Sequence, residues 1–242
     1  PGDHVTEIRG WPGALAADSD ARAAVVRQPL GGAPRNVARS RPRELPEGMA
    51  FHSVDLADGA AVARFIERDL AGQEFYGLVN NVGIVHSGEL QDVRMEELHQ
   101  AVQLNIEVAI RFTQALAPAM KARGQGRVLN IASRAALGKQ ARTIYSMTKA
   151  GMIGMTRTWA LELAAHGVTV NAIAPGPIAT EFFAGVNDAA DARTQALLAG
   201  IPVGRMGRPE EVAHAAAYFL DPRCGFVTGQ TLWVDGGVFS RA

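Results

Sequence analysis

The chain has 242 residues, and its 24 Lys and Arg residues balance 24 Asp and Glu. That neutrality argues against a general polyanion-binding surface, even with the arginine-rich stretch Arg35–Arg43, so no nucleic-acid partner is expected. A single cysteine, Cys224, excludes an intrachain disulfide and a cysteine-based zinc site, and no apolar run reaches the ~18 residues of a membrane span. With no basic-then-apolar pattern at the start, the expected compartment is the cytosol, with no membrane contact.

Residues 1–48 hold Pro1, Pro12, Pro29, Pro34, Pro42 and Pro46, half of the twelve prolines, and read as loop. From there strand and helix patterns alternate. Met49–Val54 reads as a strand and the stretch from Asp58 to Ala71 as a helix. Phe75–Val79 is a second strand, ending at Asn80-Asn81. Met95–Arg123 carries helical periodicity through Leu98, Val102, Ile106 and Ile110. Arg127–Ala132 is a strand closed by Ser133, Tyr145–Ala165 a helix stopped by Gly167, and Val168–Ala174 a strand stopped by Pro175-Gly176-Pro177. Pro209–Leu220 opens as a helix should, with Pro in its first position and Glu210-Glu211 in its first turn. Thr231–Asp235 is the last strand. Strands separated by helices of this length form βαβ units, hence an α/β domain with a doubly wound parallel sheet and helices on both faces. Ligands on such sheets bind beyond the carboxyl ends of the strands, where Asn80, Ser133 and Pro175 fall. No repeat or linker divides the chain, so 1–242 is expected to be one domain.

The residues that carry chemistry are Ser133, Tyr145 and Lys149. Tyr145 and Lys149 are four apart on one helix face, and Ser133 ends a strand twelve residues earlier. Only Lys121, Lys139 and Lys149 are lysines, against 21 arginines. Hydride addition to a ketone puts charge on oxygen, so a proton donor must stand there. A lysine ammonium ~4 Å from a tyrosine would couple by about 4 kcal/mol and draw its pKa from ~10 towards ~7. Ser133 would hydrogen-bond the same oxygen. His86 and His99 lack ligand spacing, so no metal is assigned, and Cys224 reads as a small buried residue.

Together with Asp55-Leu56, Asn80-Asn81-Val82-Gly83, Asn105, Asn171 to Pro177, Thr180, Phe226–Gln230 and Val234–Gly237, these residues resemble the short-chain dehydrogenase/reductase family, near its 3-oxoacyl-[acyl-carrier-protein] reductase-like members. The resemblance spans residues 50–242. It implies a single Rossmann-like domain and an NAD(P)-dependent oxidoreductase acting on a small-molecule ketone or alcohol. It implies a catalytic tetrad of Asn105, Ser133, Tyr145 and Lys149, with Tyr145 as acid and base and Asn105 anchoring a water. Asp55 and Leu56 would meet the adenine. Asn81 and Gly83 would border the cofactor, Lys149 would hold the nicotinamide ribose beside Tyr145, and Pro175, Gly176, Ile178 and Thr180 would surround the nicotinamide. Residues 181–207, with Phe182, Phe183, Leu197, Leu198 and Ile201, would form a substrate lid. The resemblance also implies a homotetramer using helices 94–123 and 145–165 and the segment Phe226–Val234, where Met152, Met155 and Trp159 either supply contacts or line the helix–sheet core. The carrier-docking cations of the family fall on Gly124 and His166, so a small free substrate is as compatible as a carrier-bound one.

The departure lies in the atypical first βαβ region, 1–48. A phosphate-binding Thr-Gly-x-x-x-Gly-x-Gly turn would fall on residues 6–13. Thr6 and Gly13 fit, and Gly13 is the expected cofactor contact there. Glu7 and Trp11 occupy the first two glycine positions. Three explanations stand open: altered cofactor binding, a family member that has lost the cofactor and acts as a scaffold, or a shifted GC-rich reading frame over residues 1–43. Arg27, taken as following strand two, would face a 2′-phosphate and tilt NADP or NAD towards NADP.

Overall fold

The computed structural model describes residues 24–27, 34–41, 47–180, 183 and 191–241. Gly13, Glu7, Trp11, Phe182 and Gly185 lie outside the described residues. Seven strands, β1 (Ala24–Arg27), β2 (Arg35–Ala38), β3 (Ala50–Ser53), β4 (Gly77–Asn80), β5 (Gly126–Ile131), β6 (Val168–Pro175) and β7 (Thr231–Val234), form one sheet ordered β3-β2-β1-β4-β5-β6-β7. Its helices are α1 (Gly59–Phe65), α2 (Met95–Val102), α3 (Val108–Arg123), α4 (Thr143–Leu163), α5 (Ala192–Ala199) and α6 (Pro209–Leu220).

Neighbouring residues of one strand serve opposite faces. Leu78, Val128 and Val170 pack with Phe112 and Leu116 of α3, while Val79, Leu129 and Ile173 pack with Val212, Ala216 and Phe219 of α6. Both faces being covered, β4 and β5 are buried along their whole length, which is why they read as continuous apolar runs. Cys224 is buried in the α6-side cluster.

Three features differ from the sequence expectation. First, residues 1–48 are not all loop, since they contribute β1 and β2. β1 runs antiparallel to both neighbours, with Ala24 opposite Asn80 and Arg27 opposite Gly77, whereas the pairings β2–β3, β4–β5, β5–β6 and β6–β7 are parallel as expected. The seven residues between Arg27 and Arg35 explain the reversal, because a parallel crossover needs about a dozen or more while an antiparallel hairpin needs few. Arg27 therefore stands at the amino end of β4, on the edge opposite the site. The residues that follow the second strand position are Arg39, Ser40 and Arg41.

Second, the helix expected over 95–123 is interrupted by a wide π-type turn at Gln103–Glu107. Its buried side is Ala101, Leu104, Val108, Phe112, Leu116 and Met120. Of the periodic apolar residues, Leu98 packs on the core, Ile106 and Ile110 are half-buried and Val102 is exposed. Third, the helix from Asp58 stops at Phe65 and continues as a second wide turn, Ile66–Leu70. Asp58 caps its start, accepting the N–H groups of Ala60 and Ala61 at 2.8 and 3.1 Å.

Candidate active site

β5 delivers Ser133 at its carboxyl end, and α4 begins ten residues later. Ser133 has extended backbone, and its Oγ accepts the Ala135 N–H at 3.1 Å. That contact opens a short 3₁₀ turn, Arg134–Leu137, and uses a lone pair of Ser133 rather than its hydroxyl proton, which is turned towards Tyr145. The connection is pinned from outside by the Gly88 N–H, which donates to Ala141 O at 3.1 Å, and by a ladder bridge between Gly88 and Arg142.

Lys149 is buried on α4. Its Nζ donates to Ile131 O at 2.7 Å, lies 4.0 Å from Met152 Sδ and makes no ion pair among the described residues. Burial alone lowers its pKa to about 8, so the ammonium stays charged at neutral pH. The same Nζ is 5.8 Å from the Tyr145 ring centroid. Tyr145 differs from the sequence expectation: its pKa is raised, not lowered towards neutrality. Burial is the main cause, opposed by a hydrogen bond from Ser133 and by the Arg142 charge. The lysine is aimed at a carbonyl rather than at the phenol, so the expected coupling is not made.

Asn105 sits in the wide turn. Its Oδ1 accepts the Ile84 N–H at 2.7 Å, and its Nδ2 donates to Ile84 O at 3.1 Å and Thr148 Oγ1 at 3.0 Å. Thr148 in turn donates to Tyr145 O at 3.0 Å. Asn105 thereby ties the loop after β4 to the helix carrying Tyr145 and Lys149. Wide turns of this kind often mark functional positions. Asn80 belongs to a separate buried chain: its Nδ2 donates to Asn130 Oδ1 at 2.8 Å, and Asn130 Nδ2 donates to Thr156 Oγ1 at 2.9 Å.

The remaining expected positions lie along the same carboxyl edge. Gly83 faces the heads of two tetrad residues: a Cβ there would lie 3.3 Å from Asn105 Oδ1 and 3.4 Å from Lys149 Nζ. Asp55 is exposed and accepts the Ala57 N–H at 3.0 Å, while Leu56 is buried. Pro175 ends β6. Gly176 follows against Asp235, Ile178 bridges to Gly207, and Thr180 Oγ1 accepts the Phe183 N–H at 3.1 Å. Sequence reasoning missed Thr148, which holds Asn105, and Arg142, whose charge reaches Tyr145. Arg142 stands three residues before Tyr145 at the start of the same helix, and that spacing is the signal that would have found it.

A parallel-dominated, doubly wound sheet with a Ser, Tyr and Lys converging at its carboxyl edge defines an oxidoreductase of the Rossmann-like class. Comparison with known proteins agrees: residues 14–239 match the family model described as enoyl-(acyl carrier protein) reductase. The chain belongs to that family of short-chain dehydrogenases/reductases. It is 36% identical over 194 residues to the 3-oxoacyl-[acyl-carrier-protein] reductase of Vibrio cholerae, covering 80% of this chain and 78% of that one. A solved short-chain dehydrogenase/reductase family protein superposes with a TM-score of 0.72 at 35% identity, over 80% of this chain and 78% of its own. A blue fluorescent protein from a metagenomic library, solved in complex with NADPH, gives 0.71 at 32% identity, over 78% and 76%. No helix among the described residues is long and apolar enough to cross a membrane.

Proposed function

We propose that the chain interconverts a ketone and a secondary alcohol with NADP or NAD, Tyr145 acting as general acid and base. The observation that carries this reading is the buried Lys149 ammonium, without a carboxylate partner, held on one helix with Tyr145 beside Ser133. A structural lysine would be expected to have an acid beside it.

The residues present fit a dinucleotide at its nicotinamide end. Gly83 keeps open the space above Lys149 that any side chain would fill, and Lys149 would hold the ribose hydroxyls there. Asn81, Pro175, Gly176, Ile178 and Thr180 would border the ring, and Asp55 and Leu56 the adenine. Arg39 and Arg41 follow β2, whose last residue accepts the Val54 N–H at 3.0 Å. They take over the phosphate-reading role expected of Arg27, and together with the NADPH-bound relative they support NADP. Gly13 would meet the pyrophosphate and lies outside the described residues.

The bound cofactor supplies the hydride. As the substrate oxygen takes up charge, Tyr145, protonated at neutral pH because burial raises its pKa, gives its proton to that oxygen. Ser133, whose hydroxyl proton lies towards Tyr145, can turn it to the same substrate oxygen. The Arg142 charge, which reaches the phenol, and the Ser133 hydrogen bond favour the phenolate left behind. The side-chain amide of Asn105 is committed to Ile84 and Thr148, so Asn105 acts here as a positioning residue. The reading includes a homotetramer. Met152 is buried within the chain and lines the core, the second of the two roles open to it, while Trp159 packs partly on the core. Among the described residues the large apolar side chains left outward on these helices and this segment are Met95, Val102, Met147, Leu161, Phe226 and Leu232.

Tyr145→Phe tests the reading. It should lower turnover at least ~10²-fold with circular dichroism unchanged. Near-normal turnover would overturn the mechanism, and a protein that neither binds NADPH by fluorescence titration nor turns over would point to the scaffold reading.

A further inference from the structure

The connection from Ser133 to Tyr145 carries three cations and no acid: Arg134, Lys139 and Arg142. Arg134 follows Ser133 directly. Arg142 precedes α4, close enough to act on the Tyr145 phenol. All three are half-buried, and none makes an ion pair among the described residues. Elsewhere the chain pairs its arginines readily: Arg94, Arg111, Arg205 and Arg223 each meet a carboxylate at 2.5–2.7 Å. An acid that does reach this connection, Glu89, takes up the Gln140 amide at 3.3 Å.

The cluster opposes itself. Burial and the charges of Arg142 and Arg134 together bring Lys139 down to about 8. Like charges held in partial burial without a counter-ion are unfavourable, and so is the backbone that holds them. Ala141 has φ 56°, the one left-handed non-glycine among the described residues. That strained residue is fixed by the Gly88 hydrogen bond and sets Arg142 at the head of α4. Strain and repulsion retained beside a reacting group are what an anion-binding device requires before its ligand arrives.

We propose that the site takes ketones bearing an anionic group, carboxylate or phosphate, a few atoms from the reacting carbonyl, and that Arg134, Lys139 and Arg142 receive that group. This rests on the ketone-reductase reading and narrows its substrate class. The cations lie within one connection of Ser133 and Tyr145, so an anion held there leaves a nearby carbonyl within reach of both hydroxyls. Lys139 and Arg134, whose side chains make no hydrogen bond among the described residues, provide the charge. Arg142, bonded through its guanidinium to Ala141 O at 2.9 Å, provides the fixed side of the receptor.

Two matched pairs test it, acetoacetate against ethyl acetoacetate and dihydroxyacetone phosphate against dihydroxyacetone. Each is assayed for NADPH-dependent reduction and, separately, for equilibrium binding to the cofactor-free protein. The charged member of at least one pair should be preferred tenfold or more in kcat/KM and in Kd, and the pair that responds tells carboxylate from phosphate. Arg134→Gln/Lys139→Gln should abolish the preference by raising KM and Kd for the charged member while leaving the neutral one unchanged. Lys139→Arg should retain it. Equal handling of charged and neutral members by the wild-type protein, or a preference that survives the double variant, would overturn the proposal. Charge-selective binding without reduction of any of the four would overturn the reductase reading and leave the anion site standing.

Discussion

Replacing Lys149 by Met gives a thermodynamic measurement of the buried ammonium, independent of any substrate. The folded protein lowers the lysine pKa from 10.5 to about 8 through burial. That difference corresponds to ~3 kcal/mol of unfavourable burial of the charged form. The variant also takes the donor from Ile131 O, worth ~1–3 kcal/mol in the other direction. The sign of the change at one pH is therefore not diagnostic, but its pH dependence is. Because the folded state holds this proton less tightly than the unfolded chain, it binds fewer protons between about pH 8 and 10.5 and gains stability as pH rises through that window. Lys149→Met lacks the gain. Its stability relative to wild type should fall by ~2 kcal/mol between about pH 7 and 9.5, or roughly 4–8 °C in Tm for a chain of this size. Every other titrating group cancels in the comparison. Thermal unfolding of both proteins across that range checks it, and parallel profiles would show that Lys149 is not desolvated as described.

Gly176→Ala should destabilise the protein by ~1–3 kcal/mol, read by urea unfolding, because its Cβ would lie 2.7 Å from the Cα of Asp235. Light scattering at micromolar concentration should return a tetramer, and Phe226→Asp/Leu161→Glu should shift it to smaller species; a monomeric wild type would remove the assembly from the proposal. With Glu7 and Trp11 at two positions where the resemblance implies glycine, NADPH should bind weakly, short by ~2–4 kcal/mol or roughly 30- to 1000-fold. Glu7→Gly/Trp11→Gly should tighten binding in a fluorescence titration, and submicromolar affinity in the unmodified chain would refute the argument.

Much of this fold is legible residue by residue. α6 falls at Pro209–Leu220 as expected because Pro and two acids mark its start. β5 and β6 are legible because burial on both faces leaves runs of apolar residues with few charges. What escaped is what local pattern does not encode. The direction of β1 depends on the length of a connection, which apolar spacing does not report. The wide turn at 103–107 left no trace, because the four-residue steps Leu98, Val102, Ile106 and Ile110 suit a regular helix and do not mark the buried side. The sequence brought Ser133, Tyr145 and Lys149 together correctly. It could not foresee that Lys149 turns to Ile131 O, since the aim of a side chain depends on which carbonyl the sheet edge leaves within reach.

The wide turn also restricts how this helix can vary in length. The wide turn takes up one extra residue and leaves the helix on either side of it in phase, so losing one codon there would heal the backbone and keep Phe112 and Leu116 on the sheet. What would be lost is the place of Asn105, whose side chain reaches both Ile84 and Thr148 from within that turn. The packing of the core tolerates the repair, and the irregularity persists because the site does not.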